Sequence, residues 1–141
     1  MTMTAPTIPV ISSIKDLGSH YRAWLVDIWG VVHNGHRPFP RAVAATRSFR
    51  ASGGIVVLLS NSPRPSPGVQ EQLRRLGVPD DAYDATVTSG DLTRHELAKH
   101  KGAEVFHLGP ERDLPIFQGI DVRLGTPEEA CLLYTSPSPR D

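Results

Sequence analysis

A single carboxylate lies within an apolar run near the amino end of the chain. The run reads Trp24-Leu-Val-Asp-Ile-Trp-Gly-Val-Val32, with Asp27 three positions before a glycine. A short run of this kind is typical of a strand buried on both faces of a parallel sheet, and ligands bind beyond the carboxyl ends of such strands. We therefore predict a strand over Ala23–Asp27 that presents Asp27 at a ligand-binding edge.

A second apolar run ends in polar side chains in the same way. It reads Gly54-Ile-Val-Val-Leu-Leu-Ser-Asn-Ser62, which predicts a strand followed by the hydroxyl of Ser60 and the amide of Asn61. Neighbouring parallel strands lie about 4.8 Å apart, so we expect Asp27 and Ser60 to face one crevice, within the width of one phosphate. A carboxylate after the first strand and a hydroxyl after the second indicate a phosphate site.

Alternating strand and helix patterns define the fold class. Thr88-Ser-Gly-Asp91 has the form of a capping box that begins a helix. Asn34-Gly35 predicts a tight hairpin flap after Asp27, and the prolines between Ser62 and Pro67 predict a loop. The predicted fold is α/β, a doubly wound parallel sheet. The sequence patterns predict helices at 14–21, 40–51, 69–76 and from 89 to about 101, and further strands at 55–59, 85–87, 104–108 and 121–124.

Composition narrows the class of partner. Fifteen basic residues balance fifteen acidic residues, so no net field favours nucleic acid or an anionic membrane. No window approaches the ~20 apolar residues that span a bilayer, and residues 1–13 read as a loose leader rather than a signal peptide. The single cysteine, Cys131, provides no disulfide framework. These features predict a cytoplasmic protein.

The last stretch of the chain looks foreign to the rest. Cys131-Leu-Leu-Tyr-Thr-Ser-Pro-Ser-Pro-Arg-Asp141, here called the tail, is similar, codon for codon, to one reading frame of a transposase sequencing adapter. We expect the tail to be non-native and to pack against nothing, and the natural sequence to break off at Ala130. The alternative is a natural tail rich in proline and serine.

Several motifs together resemble a known superfamily. Asp27-Ile-Trp-Gly30, the Asn-Gly flap and Leu58-Leu-Ser-Asn-Ser62, in this order and spacing, resemble the haloacid dehalogenase superfamily of phosphohydrolases. Thr88-Ser-Gly-Asp91 is similar to the motif of its class IIA branch. The resemblance implies a Rossmann-like core whose first part spans 14–102. It also implies that 103–130 begin a cap domain, most of which lies beyond this chain.

The resemblance also implies a chemistry. Asp27 would attack phosphorus to form an aspartyl-phosphate, which water then hydrolyses. Asp27 and the main-chain carbonyl of Trp29 would hold Mg²⁺, and Ser60 and Asn61 would bind the phosphoryl group. The substrate would be a small phosphorylated metabolite, and a homodimer would form through the cap. The chain itself would be inactive, because the lysine and the further acidic motif of the family lie beyond it, and its half-built sheet would leave apolar faces uncovered.

The position two residues after Asp27 departs from the family pattern. Phosphatases of the superfamily usually carry a second aspartate there as general acid, whereas this chain has Trp29. The loss of a general acid slows the expulsion of an alcohol by about 10²–10⁴-fold. His33 in the flap is a candidate substitute, and a solvated flap residue is the alternative for it.

Other interpretations stay open beside the phosphatase. Asp27 could cap a turn, and Ser60 and Asn61 could merely begin a loop. A binding or regulatory pseudoenzyme that keeps the phosphate pocket is the main alternative function, and a receiver-like domain fits less well because its acidic cluster is absent. His33 and His36 lack a third ligand for zinc. We expect no specific role for Arg64 in its proline-rich loop.

Overall fold

A computed structural model describes residues 10–18 and 20–136 of the chain. Most of the predicted leader therefore lies outside the described residues. Among the helices of this part of the chain, none combines the length and the apolar character that crossing a membrane requires. The helices are Lys15–Gly18 (α1), Pro40–Ala51 (α2), Ser66–Arg75 (α3) and Ser89–Leu97 (α4), with 3₁₀ segments at Asp80–Ala82 and Glu111–Phe117. The strands are Ala23–Asp27 (β1), Ile55–Ser60 (β2), Ala85–Thr88 (β3), Ala103–Leu108 (β4), Val122–Leu124 (β5) and Leu132–Thr135 (β6).

The strands form two sheets in which the pairings are parallel. In the first sheet β2 lies between β1 and β3, with Asp27 level with Leu59 and Ser60 level with Thr88. In the second sheet β4 lies between β5 and β6. Parallel neighbours need crossover connections, which α2 and α3 supply in the first sheet. The predicted α/β class with parallel strands is confirmed.

Helices α2 and α3 cover one face of the first sheet. Pro40 occupies the first turn of α2, where its missing N–H has no helical partner to lose. Apolar residues then recur at helical spacing along both helices and meet the alternate side chains of β2. The resulting buried cluster includes Val43, Phe49, Val56, Leu58, Val69 and Leu73.

The opposite face of the first sheet is exposed, as expected for a half-built sheet. Successive side chains of a strand point to opposite faces, so the neighbours of the buried residues point outward. Leu25 is 70% exposed, Ile55 is 52% exposed, and Leu59 and Val87 are each 36% exposed. An apolar face of this kind is a surface on which further structure packs.

Several element boundaries differ from the prediction. The helix expected over 14–21 is only the single turn α1. Ser66 and Pro67, predicted as loop, form the first turn of α3, where proline is tolerated. Helix α4 ends at Leu97 because the amides beyond it turn back to closer carbonyls, as in the 3.0 Å bond from His100 N to Leu97 O. The 3₁₀ segment Glu111–Phe117 carries no periodic signal in the sequence.

The predicted hairpin flap is present only as a minimal turn, closed by one antiparallel bridge between His33 and Pro38. Isolated bridges join His33 to Trp29 and to Pro38, without a regular ladder. The Asn34 side chain holds the turn, because its Oδ1 accepts hydrogen bonds from the backbone amides of His36 (3.1 Å) and Arg37 (3.0 Å). Asn34 has no positive φ, which the tight hairpin turn predicted for Asn-Gly requires. Asparagine therefore acts here through its side chain.

The expectation that the tail packs against nothing is wrong for its first residues. Leu132–Thr135 form β6, which pairs with β4 from Val105 to Leu108. Leu132 and Tyr134 pack against the second buried cluster. Parallel pairing needs only main-chain groups and an alternation of apolar side chains, which Leu-Leu-Tyr-Thr supplies whatever its origin. The tail's non-native origin stays a prediction, and residues 137–141 lie outside the described residues.

Deleting residues 131–141 should destabilise the chain by about 1–3 kcal/mol. The deletion leaves one edge of β4 unpaired and exposes the apolar side chains against which Leu132 and Tyr134 pack. The free energy of unfolding in urea, compared with that of the whole chain, measures the effect. A difference below about 0.5 kcal/mol, typical of changes away from buried contacts, would contradict the pairing of β6 with β4.

Candidate active site

The segment after β1 turns sharply at the edge of the first sheet. Ile28 and Val32 are both 3% exposed and anchor the turn in the core. The carbonyl of Ile28 accepts the amide of Val32 at 2.8 Å, and the amide of Gly30 donates to the carbonyl of His33 at 2.8 Å. Gly30 has φ +76°, a conformation that other residues adopt at a cost, which explains why a glycine follows Asp27 at this spacing.

Asp27 lies at the carboxyl end of β1 with its charge uncompensated. Its Oδ1 accepts the amide of Ile28 at 2.8 Å, and no residue of the described ranges forms an ion pair with it. The side chain is exposed. A carboxylate with one backbone bond and no cationic partner is available to a metal ion or to a substrate.

Ser60 lies at the carboxyl end of the neighbouring strand, and its hydroxyl accepts a hydrogen bond from the loop that follows it. The amide of Ser62 donates to Ser60 Oγ at 3.1 Å, so the hydroxyl acts as the acceptor in this bond. The O–H of Ser60 can therefore donate to a phosphoryl oxygen. Asn61 follows it, exposed in the same loop.

The structure brings Trp29, His33 and Ser60 to one cavity of about 300 Å³. Asp27 lines an adjoining apolar groove with Leu25 instead. Asp27 and Ser60 end neighbouring parallel strands, as expected. The expectation that they face one common crevice is wrong, because they line different cavities. Asp27 is level with Leu59, on the exposed face, and the next residue of β2 points to the other face.

The amino end of α4 holds the loop that follows Ser60. Thr88 and Asp91 form the predicted capping box, with Asp91 N donating to Thr88 Oγ1 at 3.0 Å and Thr88 N donating to Asp91 Oδ2 at 3.1 Å. The other oxygen of Asp91 accepts both the amide (2.9 Å) and the hydroxyl (3.1 Å) of Ser66. The Thr88–Asp91 motif thus fixes the end of the loop as well as the start of its own helix.

Gly90 allows this loop to approach the helix. Its amide donates to the carbonyl of Ser62 at 3.1 Å. A Cβ at position 90 would overlap the carbonyl oxygen of Pro63 and lie 2.8 Å from the carbonyl carbon of Arg64. The sequence marked Gly90 only as part of a motif, and the close backbone approach that requires it is a tertiary contact.

His33 is buried and locked in the loop after β1. It is 4% exposed, its Nδ1 accepts the amide of Gly35 at 2.9 Å, and its ring meets Trp29 edge-on with centroids 5.6 Å apart. Burial lowers the pKa of the His33 imidazole below its ordinary value of 6.5. The neutral ring with its proton on Nε2 is therefore favoured near pH 7, which argues against His33 as the general acid.

Two groups at the end of β1 suit a hard cation. The Asp27 carboxylate is unpaired, and the carbonyl of Trp29 accepts no backbone hydrogen bond within the described ranges. Oxygen donors of this kind are the ligands that Mg²⁺ prefers. No group of three or more His, Cys, Asp or Glu side chains that could hold a metal occurs in the described part of the chain. Asp27 and the Trp29 carbonyl could therefore supply two oxygen ligands to such a cation.

The far wall of the cavity comes from the second half of the chain. Arg112 and Asp113, in the 3₁₀ segment after β4, line it together with Arg64. The sequence interpretation missed Arg112 and Asp113. The signal that could have found them is the one that found Asp27 and Ser60, namely polar residues just after a predicted strand.

Comparisons with known proteins identify the family of the chain. The family model for haloacid dehalogenase-like hydrolases matches residues 24–123. This chain belongs to that family. A search of curated proteins found no match.

The family's solved structures resemble the chain over most of its length. A haloacid dehalogenase-like hydrolase from Brucella suis 1330 is 44% identical, with TM-score 0.83 over 91% of this chain and 49% of its own. A p-nitrophenyl phosphatase from Archaeoglobus fulgidus is 22% identical, with TM-score 0.67 over 85% and 46%. A glycerol phosphate phosphatase from Mycobacterium tuberculosis in complex with magnesium is 23% identical, with TM-score 0.64 over 88% and 38%. The chain thus spans about half the length of the Brucella structure.

Gly90→Ala should destabilise this haloacid dehalogenase-like chain by about 1–3 kcal/mol, because the added methyl overlaps the backbone of Pro63 and Arg64 in the loop after β2. Thermal unfolding measures the loss. Gly68→Ala is the matched control, since a Cβ there meets nothing within 4 Å and the position lies inside α3. Equal effects of the two substitutions would contradict the proposed close approach.

The buried His33 should make the chain less stable below about pH 6.5. Its folded pKa is lowered from 6.5, so its contribution is present above that pH and is lost as pH falls through the folded pKa. Unfolding free energies between pH 7 and 5 should decline more steeply for the natural chain than for His33→Gln. The His36→Gln control, at an exposed site in the same loop, should keep the natural slope, and a natural slope in His33→Gln would disprove the assignment.

Proposed function

We propose that the chain is the amino-terminal part of a Mg²⁺-dependent phosphohydrolase of class IIA that acts on a small phosphorylated metabolite. The observation that carries the proposal is the placement of an unpaired carboxylate, Asp27, and a donor hydroxyl, Ser60, at the same edge of a parallel sheet. The family membership and the solved phosphatases of the same fold support it. Residues 14–102 would belong to the core and residues 103–130 to the cap.

Asp27 would act as the nucleophile. One carboxylate oxygen attacks phosphorus, the ester oxygen leaves, and water then cleaves the aspartyl-phosphate to restore Asp27. To reach a phosphoryl group beside Ser60, the carboxylate turns away from the amide of Ile28. Giving up that bond costs about 1 kcal/mol, which is small against the chemical barrier.

Ser60 and the loop behind it would bind the phosphoryl group. The Ser60 hydroxyl donates to a phosphoryl oxygen, while the bond from Ser62 N and the contacts of Asp91 hold the loop in place. A hydrogen-bond donor fixed before the reaction stabilises the developing charge without reorganisation. Asn61 would orient this loop. Mg²⁺, held in part by Asp27 and the Trp29 carbonyl, would neutralise the two anions that must meet.

Trp29 favours a second candidate function, a phosphate-binding pseudoenzyme. Its indole lies against Gly35 and His33 and lines the cavity where the family's acid would stand. Without a proton donor there, alkyl phosphates would react about 10²–10⁴-fold more slowly than with one. Single-turnover phosphate release by the longer protein separates the candidates, because a phosphatase releases one phosphate per site and a pseudoenzyme releases none.

Asp27→Asn should abolish turnover in the longer protein. Removing the attacking oxygen should lower kcat with p-nitrophenyl phosphate and Mg²⁺ by about 10⁴-fold or more, as for other covalent catalysts. Phosphate release in steady state measures the effect, and Asp16→Asn, at an exposed site in α1, is the control. If the Asp27→Asn protein were active, Asp27 would have only a structural role.

A further inference from the structure

Two arginines from separate parts of the chain line the cavity that contains Ser60. Arg64 follows Ser60 in the loop before α3, and Arg112 lies in the 3₁₀ segment after β4. Both line the cavity that contains Ser60, and both also line an adjoining cavity of about 310 Å³. The two side chains therefore line both cavities, next to the predicted phosphate site.

Their hydrogen-bonding capacity is largely unused. Within residues 10–18 and 20–136, the Arg64 side chain makes one hydrogen bond, from its Nη1 to Gln72 Oε1 at 3.3 Å, and the only carboxylate near Arg112 is Asp113 at 4.0 Å. A guanidinium offers five N–H donors.

Arginines elsewhere on the chain contrast with these two. Arg47 pairs with Asp81 at 2.7 Å, and Arg50 pairs with Asp84 at 2.7 Å. Arg64 and Arg112 thus differ from Arg47 and Arg50 in that, among the described residues, neither has a carboxylate partner closer than 4.0 Å.

We propose that Arg64 and Arg112 bind a second anionic group of the substrate, a carboxylate or a second phosphate. This inference rests on the proposed function, in which the Ser60 end of the cavity takes the transferred phosphoryl group. Guanidinium groups match carboxylate and phosphate oxygens with paired hydrogen bonds. The buried Asp113 offsets part of one positive charge and leaves the pair of arginines net positive. Arg64, for which the sequence predicted no specific role, acquires one here.

The size of the cavity limits the substrate. Its volume of about 300 Å³ lies at the lower end of the ~300–1,000 Å³ typical of small-molecule sites. A short bis-anionic metabolite fits such a volume. The inference therefore names a substrate class, which is a small phosphate ester with a second anion a few bonds from the ester.

Matched substrates test this inference in the longer protein. Glycerol 3-phosphate carries one anionic group, 3-phosphoglycerate adds a carboxylate, and glycerol 1,3-bisphosphate adds a phosphate. Arg64→Gln and Arg112→Gln should each lower kcat/KM for one or both bis-anionic esters by about 10–100-fold, mostly through KM, and leave glycerol 3-phosphate unchanged. Arg112→Lys should restore part of the loss. Arg75→Gln is the control, because Arg75 is 68% exposed and faces Glu71 outside the cavity.

Three results would overturn the inference. An equal loss of kcat/KM for all three esters would mean that the arginines contact the transferred phosphoryl group. An unchanged kcat/KM for every ester would mean that they do not contact the substrate. A natural protein that prefers glycerol 3-phosphate would show that the substrate has no second anion. Calorimetric binding to the Asp27→Asn protein separates this inference from the proposed function. Arginine-dependent binding of a bis-anionic ester to the Asp27→Asn protein, together with no turnover of that ester by the natural protein, would retain the subsite and reject only the phosphatase.

Discussion

Parallel pairing of β1 with β2 positions everything at the candidate site. The register that sets Asp27 level with Leu59 brings the carboxyl ends of both strands to one edge, where Asp27 and Ser60 emerge. A shift of one residue would exchange the two faces of β1 and bury Asp27 among Val56 and Leu58. Burial of an unpaired carboxylate in such a core is costly, so the apolar core that fixes the register also keeps Asp27 at the surface.

The same core covers only one face of the first sheet. Helices α2 and α3 bury Val56 and Leu58, whereas Leu25 and Leu59 on the other face remain exposed. Asp27 points to that uncovered side, into an apolar groove, while Ser60 lines the cavity. The two halves of the proposed site therefore differ in completeness. The loop after Ser60 is held by contacts with Asp91 and Gly90, whereas the Asp27 carboxylate has one backbone hydrogen bond.

The sequence predicted what depends on local pattern. The apolar runs of β1 and β2, the proline in the first turn of α2 and the capping box at Thr88 each carry their signal within a few residues, and the structure contains all of them. Local patterns in the sequence could not predict contacts between distant segments. The approach of Gly90 to Pro63, the placement of Arg112 in the cavity and the pairing of β6 with β4 all depend on tertiary structure. The turn conformation predicted for Asn34-Gly35 was wrong for a different reason, because Asn34 can stabilise a turn through its side chain as well as through its backbone.

If Asp27 is the nucleophile of the proposed phosphatase, its carboxylate becomes covalently phosphorylated during turnover. Borohydride reduces an aspartyl-phosphate to homoserine, so quenching the longer protein during turnover with Mg²⁺ and then reducing it marks the phosphorylated residue. Peptide mass spectrometry should find homoserine at position 27, and a reaction without substrate should show none. Homoserine at the position of another aspartate, or none at position 27 while phosphate is being released, would show that Asp27 is not the nucleophile.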